Sequence, residues 1–525
     1  MAGMADGAAA RRWPRILLPS LASRRWLGAL ALALPLLWQL GGTLLFDVDE
    51  GAFSEATREM LASGDWGHTT LNGAPRFDKP IGIYWLQALA VKTFGLGEFA
   101  LRLPSALSCW AMALALAGFA ARRWGERAGA LAGVLTVTSL GYLAIGRGAT
   151  ADSLLNLLLV LAGLDLWRHI ETGGKGPLRR AYAWVGLGLL VKGPVALLVP
   201  GAAFGLWCLT SGRWRLLVRA VLDVPGWLLL LVIAVPWYAY ALHRDGMAFV
   251  EGFLWHHNLE RFTGTIGGHR GSLAYYLLVL PLLAMPWTPL LAVVLARARR
   301  LWAEPLARYL LGWTGFVLVF FSLSGTKLPH YVLYGHAPLV LLMARMLAQA
   351  SRGVRIAVTG GIVAWAACIA AAPALVAWQA PGLRDPFYRA LLSGAPDAAW
   401  LPAAAVLALA AVLLWSGRGR WWGAPAAAGV LALLVAGWSL PWFGEALQGP
   451  VRRAAAVAAG RPGTVVQSDI HLPSFSVYAG REVPRREPAP QDTVLARADR
   501  LPPGPARRPL YAERGLVLLA PLAPP

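Results

Sequence analysis

Residues 47–60 read D-V-D-E-G-A-F-S-E-A-T-R-E-M, and F-D-K-P follows at residues 77–80. This stretch comes directly after a first apolar segment, residues 26–46. Its acids Asp49 and Glu50 therefore stand where a membrane helix would leave the hydrocarbon. Ionisable groups at a membrane are costly to hold and tend to be functional. We therefore expect this stretch to carry chemistry on a lipid-borne substrate.

The composition is typical of a membrane protein that crosses the bilayer many times. Of the 525 residues, 57% are hydrophobic, only 14% are charged and 25 are tryptophan. The net charge of +21 could suggest nucleic-acid binding. However, the basic residues cluster between apolar segments, as the positive-inside rule expects, and they form no basic face interleaved with aromatic residues. We therefore expect a lipid bilayer as partner and no nucleic acid.

Apolar segments of about 20 residues predict an all-α polytopic membrane protein with about thirteen spans. Residues 1–25 are expected to form an arginine-rich cytoplasmic head. Residues 26–441 then form the transmembrane domain, with external loops at 47–100 and 242–272. Arginine clusters alternate with the polar motifs at successive crossings, which supports this topology. An odd number of spans puts residues 442–525 outside, where short strand patterns between Pro and Gly predict a small α/β domain.

Three local patterns refine this picture. Residues 50–61 place apolar side chains at helical spacing, which predicts an amphipathic helix on the membrane face. Residues 82–94 are apolar but short, so we expect a re-entrant or interfacial helix rather than a crossing. The break Lys192-Gly193-Pro194 separates two apolar segments, residues 181–191 and 195–209. The first has only eleven residues, and a helix of that length spans about 17 Å. We expect this break to lie in a wet crevice below the outer surface.

The placement of lysine is unusual. The chain has 48 basic residues, but only five of them are lysine. Lys79, Lys192 and Lys327 fall at the external ends of spans, where a compact ammonium group can meet an anion. Lys192 lies between two apolar segments, where a charge is costly unless it is paired with an opposite charge or hydrated. This pattern favours a functional role for these three lysines.

Once the spans are oriented, the unusual polar residues all fall on one side of the membrane. They are acids, bases and imidazoles at external span ends: Asp49, Glu50, Asp78, Lys79, Arg147, Asp152, Lys192, His256, His257, His269, Arg270, Lys327 and Tyr331. Such a set predicts a single site that faces the periplasm or the cell exterior.

Several of these residues also have a simpler explanation. Glu50 could be a solvated acid at a helix start, and Arg147 could anchor a helix end. Lys79 could be a snorkelling side chain at the interface. His256 and His257 are better explained as loop or interface histidines than as site residues.

Five motifs occur in the order found in bacterial lipid A aminoarabinose transferases: D-E-G-A-F-S-E-A-T-R-E-M, F-D-K-P, K-G-P, H-R-G-S-L-A-Y-Y-L and G-T-K-L-P-H-Y-V-L. Over roughly residues 26–350 the chain resembles this family, which belongs with the protein O-mannosyltransferase-like membrane glycosyltransferases of the GT-C superfamily. The resemblance implies an inverting glycosyltransferase of the bacterial inner membrane with a periplasmic site. Its donor would be a sugar on a polyprenyl phosphate such as undecaprenyl phosphate, and its acceptor lipid A or another envelope glycan.

The resemblance also implies roles for the site residues. Asp49 matches the first-loop acid of the family, a base that activates or orients the acceptor, and Asp152 matches a second external acid. Asp78 and His269 match residues that hold a divalent metal, zinc or magnesium or manganese. Binding of the substrate and its departing phosphate would involve Glu50, Lys79, Arg147, Lys192, Arg270, Lys327 and Tyr331.

The sequence differs from the family pattern at two positions, and two other functions remain as alternatives, so the substrate is not determined. Ala52 stands where the family usually has a basic residue, and Asp78 is one methylene shorter than the usual glutamate. Transfer to protein, as in a protein O-glycosyltransferase, remains an alternative. A lipid or sugar transporter is the alternative from another class, but transporters tend to show internal repeats and charges near the bilayer midplane. This chain shows no repeat between its halves, and its unusual charges lie at one face.

Overall fold

The structure, a computed structural model, describes residues 21–260, 264, 271–418, 420–501 and 505–523. The first half of the chain is helical apart from one short hairpin. Its elements are α1 (Leu21–Leu37), α2 (Asp49–Ser63), β1 (Thr70–Leu71), β2 (Ala74–Pro75), α3 (Gly82–Phe94), α4 (Glu98–Trp124), α5 (Glu126–Thr138), α6 (Leu140–Gly146), α7 (Asp152–Thr172), α8 (Lys175–Lys192), α9 (Val195–Thr210), α10 (Trp214–Val221) and α11 (Val224–Phe249).

The second half continues the helical domain and ends in a mixed sheet. A π-helix (Val250–Glu260) extends α11, and a 3-10 helix (Pro329–Gly335) precedes α16. The other elements are α12 (Tyr275–Leu283), α13 (Thr288–Ala296), α14 (Ala298–Leu301), α15 (Pro305–Leu323), α16 (His336–Ala348), α17 (Arg352–Gln379), a 3-10 turn (Ala380–Gly382), α18 (Pro386–Ser393), α19 (Trp400–Ser416), α20 (Gly423–Leu434), a π-helical turn (Val435–Ser439), α21 (Leu440–Ala459), β3 (Val465–Gln467), α22 (Pro473–Ala479), β4 (Thr493–Arg497), β5 (Pro509–Glu513) and β6 (Leu516–Leu519).

The described residues contain seven helical segments that are long and apolar enough to cross a membrane, or eight if the bent pair α5–α6 is one span. α5 and α6 meet at an angle of 65°. The seven are Glu98–Trp124, Asp152–Thr172, Val224–Asp245, Pro305–Leu323, Pro329–Ala348, Arg352–Gly382 and Gly423–Ala459. The predicted polytopic membrane protein is therefore confirmed. A total of about thirteen requires shorter apolar helices to cross as well, and that number stays a prediction.

The predicted helix at residues 50–61 is confirmed as α2, but its surroundings differ from the prediction. Phe53 and Met60 belong to the main hydrophobic core, and the Phe53 ring stacks on Tyr84 of α3 at 5.5 Å between ring centroids. α2 also packs against α22, the short helix between β3 and β4. Its apolar face is therefore covered by protein rather than by the membrane, because α3 and α22 enclose it.

The predicted break after Lys192 is confirmed. α8 ends at Lys192 and α9 begins at Val195. Gly193 between them has φ +75°, and a Cβ there would lie 2.7 Å from the ring of Phe253. A left-handed backbone and this close approach both favour glycine. The break places Lys192 at the end of a helix, where its side chain can meet groups from other elements.

The C-terminal residues contain a four-stranded sheet in the order β3-β4-β6-β5. β3 pairs parallel to β4, and the other pairs are antiparallel. The predicted strands near residues 464–468 and 516–520 are confirmed as β3 and β6. One face of the sheet shares a core with α21 and α22. Because the apolar segment from Gly423 to Ala459 is continuous, the sheet is tied directly to a membrane helix.

Candidate functional site

A cavity of about 460 Å³ opens where the break after α8 meets the π-helix and the end of α15. Most of its lining is apolar, and the polar groups include two lysines, a carboxyl, an imidazole and two phenols. The lining residues are Asp78, Lys79, Lys192, Pro194, Val195, Leu198, Leu254, Trp255, His257, Leu259, Phe320, Phe321, Ser324, Tyr331 and Tyr334. Four of the predicted site residues, from three distant motifs, thus share one cavity: Asp78, Lys79, Lys192 and Tyr331.

Asp78 and Lys79 form the first polar cluster of the cavity. The Lys79 ammonium lies 2.6 Å from Asp78 Oδ1 and also donates to the Asp78 carbonyl at 3.0 Å. Arg76 contacts the other carboxylate oxygen at 3.1 Å, and His257 Nδ1 lies 3.2 Å from Oδ1. Burial by itself would raise the pKa of Asp78, but Lys79, Arg76 and His257 lower it well below its ordinary value. Asp78 is therefore an ionised carboxylate that orients Lys79.

Asp152 and Lys192 form the second cluster. Lys192 Nζ lies 2.5 Å from Asp152 Oδ1, and both side chains are only 9% exposed. Tyr334 donates its hydroxyl to the same oxygen at 3.2 Å, and His330 Nε2 lies 3.6 Å from it. The Lys192 ammonium also lies 5.6 Å from the ring centroid of Tyr331. The charge of Lys192 is thus paired, which offsets the cost of burying it.

Lys327 lies beside the cavity without lining it. Its ammonium donates to the backbone carbonyls of Ser322 at 2.9 Å and Ser324 at 2.7 Å, and its side chain is buried. These carbonyls belong to the end of α15, where a helix leaves its last carbonyl groups without intrahelical partners. Lys327 therefore closes a helix end next to Ser324, which does line the cavity.

Asp49 is exposed in the first turn of α2 and is linked to the first cluster through Arg76. Phe53 stands one helical turn after Asp49 on the same face, and the Arg76 guanidinium lies 5.3 Å from its ring centroid. Arg76 Nε also donates to Tyr84 at 3.0 Å. Burial opposes the charge of Arg76, but Tyr84, Asp78 and Asp49 raise its pKa above the usual value. Arg76 thus contacts Asp78 directly, and the charge of Asp49 acts on it from the first turn of α2.

Glu50 and Arg147 lie in the scaffold and do not line the cavity. Glu50 forms a bidentate ion pair with Arg102, at 2.8 Å for both bonds, and accepts the Ala149 N–H at 2.7 Å. Arg147 donates to backbone carbonyls that follow α1, including that of Trp38 at 2.8 Å. Structural roles fit these two buried residues better than the predicted contact with substrate.

Known proteins with similar sequences identify the family of this chain. The sequence model described as dolichyl-phosphate-mannose-protein mannosyltransferase matches residues 78–240. An undecaprenyl phosphate-alpha-4-amino-4-deoxy-L-arabinose arabinosyl transferase of Erwinia tasmaniensis is 34% identical over 60% of this chain and 57% of its own length. A second transferase with this name, from Pseudomonas fluorescens, is 31% identical over 70% of this chain and 67% of its own length. The chain belongs to this family.

The crystal structure of ArnT from Cupriavidus metallidurans, bound to undecaprenyl phosphate, has the same fold. Its TM-score is 0.78 at 22% identity, over 96% of this chain and all of that one. The sequence match to the arabinosyl transferases is shorter, since this chain spans little more than half the length of several relatives it matches. The chain therefore shares the fold of this structure over nearly its whole length.

Of the two predicted metal ligands, Asp78 and His269, only Asp78 lies within the described residues. His269 and Arg270 lie outside the described residues. Within the described ranges no group of three or more His, Cys, Asp or Glu side chains could hold a metal ion. Asp78 and His257 offer two donors, but Arg76 and Lys79 already neutralise that carboxylate. The described residues alone therefore offer too few donors to hold a metal, and the second predicted ligand, His269, lies outside them.

Sequence reasoning missed three members of the site. Arg76 precedes the F-D-K-P motif, and His330 and Tyr334 flank Tyr331 in the K-L-P-H-Y-V-L-Y segment. Arg76 is two residues before Asp78, His330 is directly before Tyr331 and Tyr334 is three residues after it. This closeness in sequence to predicted site residues is the signal that could have found them. His257 was interpreted as a loop histidine, although its imidazole faces Asp78 in the cavity.

Proposed function

We propose that this protein is an inverting glycosyltransferase that moves a sugar from a polyprenyl phosphate to lipid A or another envelope glycan. The observation that carries the proposal is the cavity in which Lys79 and Lys192 stand among apolar walls. Such a space suits a ligand with a phosphate head and a hydrocarbon tail. The names of the relatives, which are undecaprenyl phosphate-dependent arabinosyl transferases, support the same donor class.

In this proposal, the bond between the anomeric carbon and the phosphate oxygen breaks as the acceptor oxygen attacks from the opposite face. Positive charge develops on the sugar and negative charge on the departing phosphate. Lys79 and Lys192 stabilise that phosphate, because they are held in place by Asp78 and Asp152 before the reaction begins. Tyr331 adds a hydrogen-bond donor. Asp49 takes the proton that the acceptor hydroxyl loses.

We also propose that the chain crosses the membrane about thirteen times. The short apolar helices α1, α8, α9 and α19 and the pair α12–α13 also cross the membrane, which gives about thirteen spans. Arginine clusters then face the cytoplasm, and the site and the C-terminal sheet face the periplasm. A lipid-linked donor reaches the cavity from the membrane, and the acceptor approaches from the periplasmic side.

We also propose that Asp78 and His269 bind a divalent metal, with water or substrate completing its coordination. Metal should copurify with the wild-type protein, and it should be lost in Asp78→Asn and in His269→Ala. Elemental mass spectrometry of the purified proteins measures this without an activity assay. His256→Ala is the matched histidine control, because His256 pairs with Glu260 rather than with Asp78. Equal metal contents in all four proteins would contradict the assignment.

The function is tested by mass spectrometry of lipid A and of total glycopeptides from cells with and without the active gene. Sugar on lipid A only when the gene is active supports the proposal. Altered glycopeptides with unchanged lipid A would move the acceptor to protein. No change in either would overturn both acceptors and return the transporter to consideration.

Lys79→Met should lower transfer about 10²-fold, because methionine keeps the length of the side chain but offers no charge to the departing phosphate. Lys92→Met is the matched control: Lys92 lies on α3 with its ammonium 4.5 Å from the Trp66 ring centroid, away from the cavity. Steady-state transfer by the purified proteins measures both. Equal activity of Lys79→Met and wild type would remove Lys79 from the phosphate site.

A further inference from the structure

The short helix α22 of the C-terminal domain lies against the segment that leads into Asp49. The Ser474 N–H donates to Asp47 Oδ1 at 2.9 Å, and the Ser474 hydroxyl donates to Asp47 Oδ2. Ser474 is completely buried. These two groups are 427 residues apart in the chain. The carboxylate of Asp47 is therefore a joint between the sheet domain and the first external segment.

Two further groups close this joint. With its amide oriented to satisfy both partners, Gln448 of α21 donates to Asp47 Oδ2 at 3.1 Å and accepts the Asp47 N–H at 3.0 Å. On the α2 side, a Cβ at Gly51 would lie 2.2 Å from Asp47 Oδ1 and 2.6 Å from the Ser474 nitrogen. The approach of α22 to α2 thus requires glycine at residue 51.

A second anchor lies two residues before Asp47. The Leu45 N–H donates to the Tyr478 hydroxyl at 2.7 Å, and that hydroxyl donates to Glu98 at 3.2 Å. Leu45 and Val477 also share a small buried apolar cluster. The C-terminal domain therefore holds this segment by hydrogen bonds at two alternate residues and by apolar packing.

These anchors fix the position of Asp49, although its own side chain is exposed. Asp47 is two residues before it and is bound to α22, while Glu50 directly after it is bound to Arg102. Burial raises the pKa of Asp47 to about 7, although the hydrogen bonds from Ser474 oppose that shift. Burying the Asp47 carboxyl is costly, and it lies between α22 and the segment before α2. This placement favours a role in holding the two together.

We propose that the C-terminal domain positions the base of the transfer reaction, with Asp47 and Ser474 as the positioning residues. The proposal rests on the proposed function, in which Asp49 takes a proton from the acceptor. A carboxylate that is misplaced by about 1 Å can cost about 10²-fold in rate. The domain then acts on catalysis through the backbone of residues 45–50, and it need not touch the donor.

The first test is hydrogen exchange of the full-length protein, followed on peptides that cover residues 45–53. Ser474→Ala and Gly51→Ala should each speed exchange of this segment about ten-fold, because each breaks the joint from one side. Ser468→Ala is the matched control, since Ser468 lies in the same domain and bonds to Leu495 through its backbone. This readout does not depend on activity. Unchanged exchange in both joint variants would overturn the proposal.

The second test is steady-state transfer with undecaprenyl phosphate-linked 4-amino-4-deoxy-L-arabinose as donor and lipid A as acceptor. Ser474→Ala should lower kcat about ten-fold with an unchanged KM for the donor, because the donor cavity lies on other elements. Ser474→Thr keeps the hydroxyl and should restore kcat.

The two readouts separate the possible failures. Faster exchange with unchanged kcat would overturn the positioning role, because the segment would then be free to move without consequence. A fall in kcat that Ser474→Thr does not rescue would also overturn it. A wild type that transfers nothing with this donor and acceptor counts against the proposed function, and the exchange data then still decide whether the joint exists.

Discussion

Asp49→Asn should lower the rate of sugar transfer by about 10²–10⁴-fold while the protein still folds and inserts. Asparagine has the shape of aspartate but cannot accept the proton that the acceptor hydroxyl loses. The Asp49 side chain is exposed in the first turn of α2, so an amide of the same shape leaves the packing of this helix intact. The KM for the lipid donor should stay unchanged, because Lys79 and Lys192 bind the phosphate. Steady-state transfer by purified protein measures both constants.

Asp65→Asn provides the matched control for this experiment. Asp65 is another partly exposed acid of the same external segment, where it pairs with Arg244 and accepts a hydrogen bond from Tyr240 at 3.1 Å. Its replacement should leave transfer within about two-fold of wild type, as expected for an exposed pair. Full activity of Asp49→Asn would show that Asp49 is not the base. The role would then pass to Asp152, the second predicted acid, which pairs with Lys192.

Features that depend on short-range patterns could be predicted from the sequence. The helix at residues 50–61 follows from apolar spacing, and the break after Lys192 follows from Gly193-Pro194, because glycine and proline act on the local backbone. The cavity residues Lys79 and Lys192 were found because ammonium groups beside apolar segments are costly and need a reason. These inferences require no knowledge of which elements pack together.

Features that depend on the partner of a side chain could not be predicted. The ammonium of Lys327 is bound by carbonyl groups at the end of α15, and nothing in the G-T-K-L-P motif indicates that. The joint between Asp47 and Ser474 links the two ends of the chain. Arg76 reaches both Asp78 and the ring of Phe53 because the β1–β2 hairpin folds back toward α2. Such contacts are set by tertiary structure, and hydrophobic periodicity carries no information about them.

Arg102→Met should destabilise the protein by about 3–5 kcal/mol, the largest effect on stability that we expect. Arg102 is almost fully buried in α4 and makes two hydrogen bonds to Glu50, each at 2.8 Å. It also donates to the backbone carbonyls of Thr43 at 2.5 Å and Leu44 at 2.9 Å. Methionine fills the space but leaves Glu50 as a buried charge without its cation. Thermal unfolding in detergent, with the yield of folded protein, measures the loss.

Arg123→Met in the same helix is the control for this substitution. Arg123 pairs with Glu171, but both side chains are more than a third exposed, at 37% and 34%. An exposed pair contributes about 0–1 kcal/mol, so this variant should unfold close to the wild-type temperature. Comparable losses in the two variants would contradict the prediction, because the buried pair with Glu50 would then contribute no more to stability than an exposed pair.

Combining Glu50→Gln with Arg102→Met tests whether Glu50 stabilises the fold or binds the substrate. Glu50→Gln combined with Arg102→Met removes both charges, so it should recover part of the stability that Arg102→Met alone loses. Recovery should stay incomplete, because the carbonyls of Thr43 and Leu44 lose their donor, at about 1–3 kcal/mol each. If Glu50 instead bound the substrate, Glu50→Gln would lower transfer without lowering stability. The geometry favours the first outcome, since both carboxylate oxygens are already bonded to Arg102.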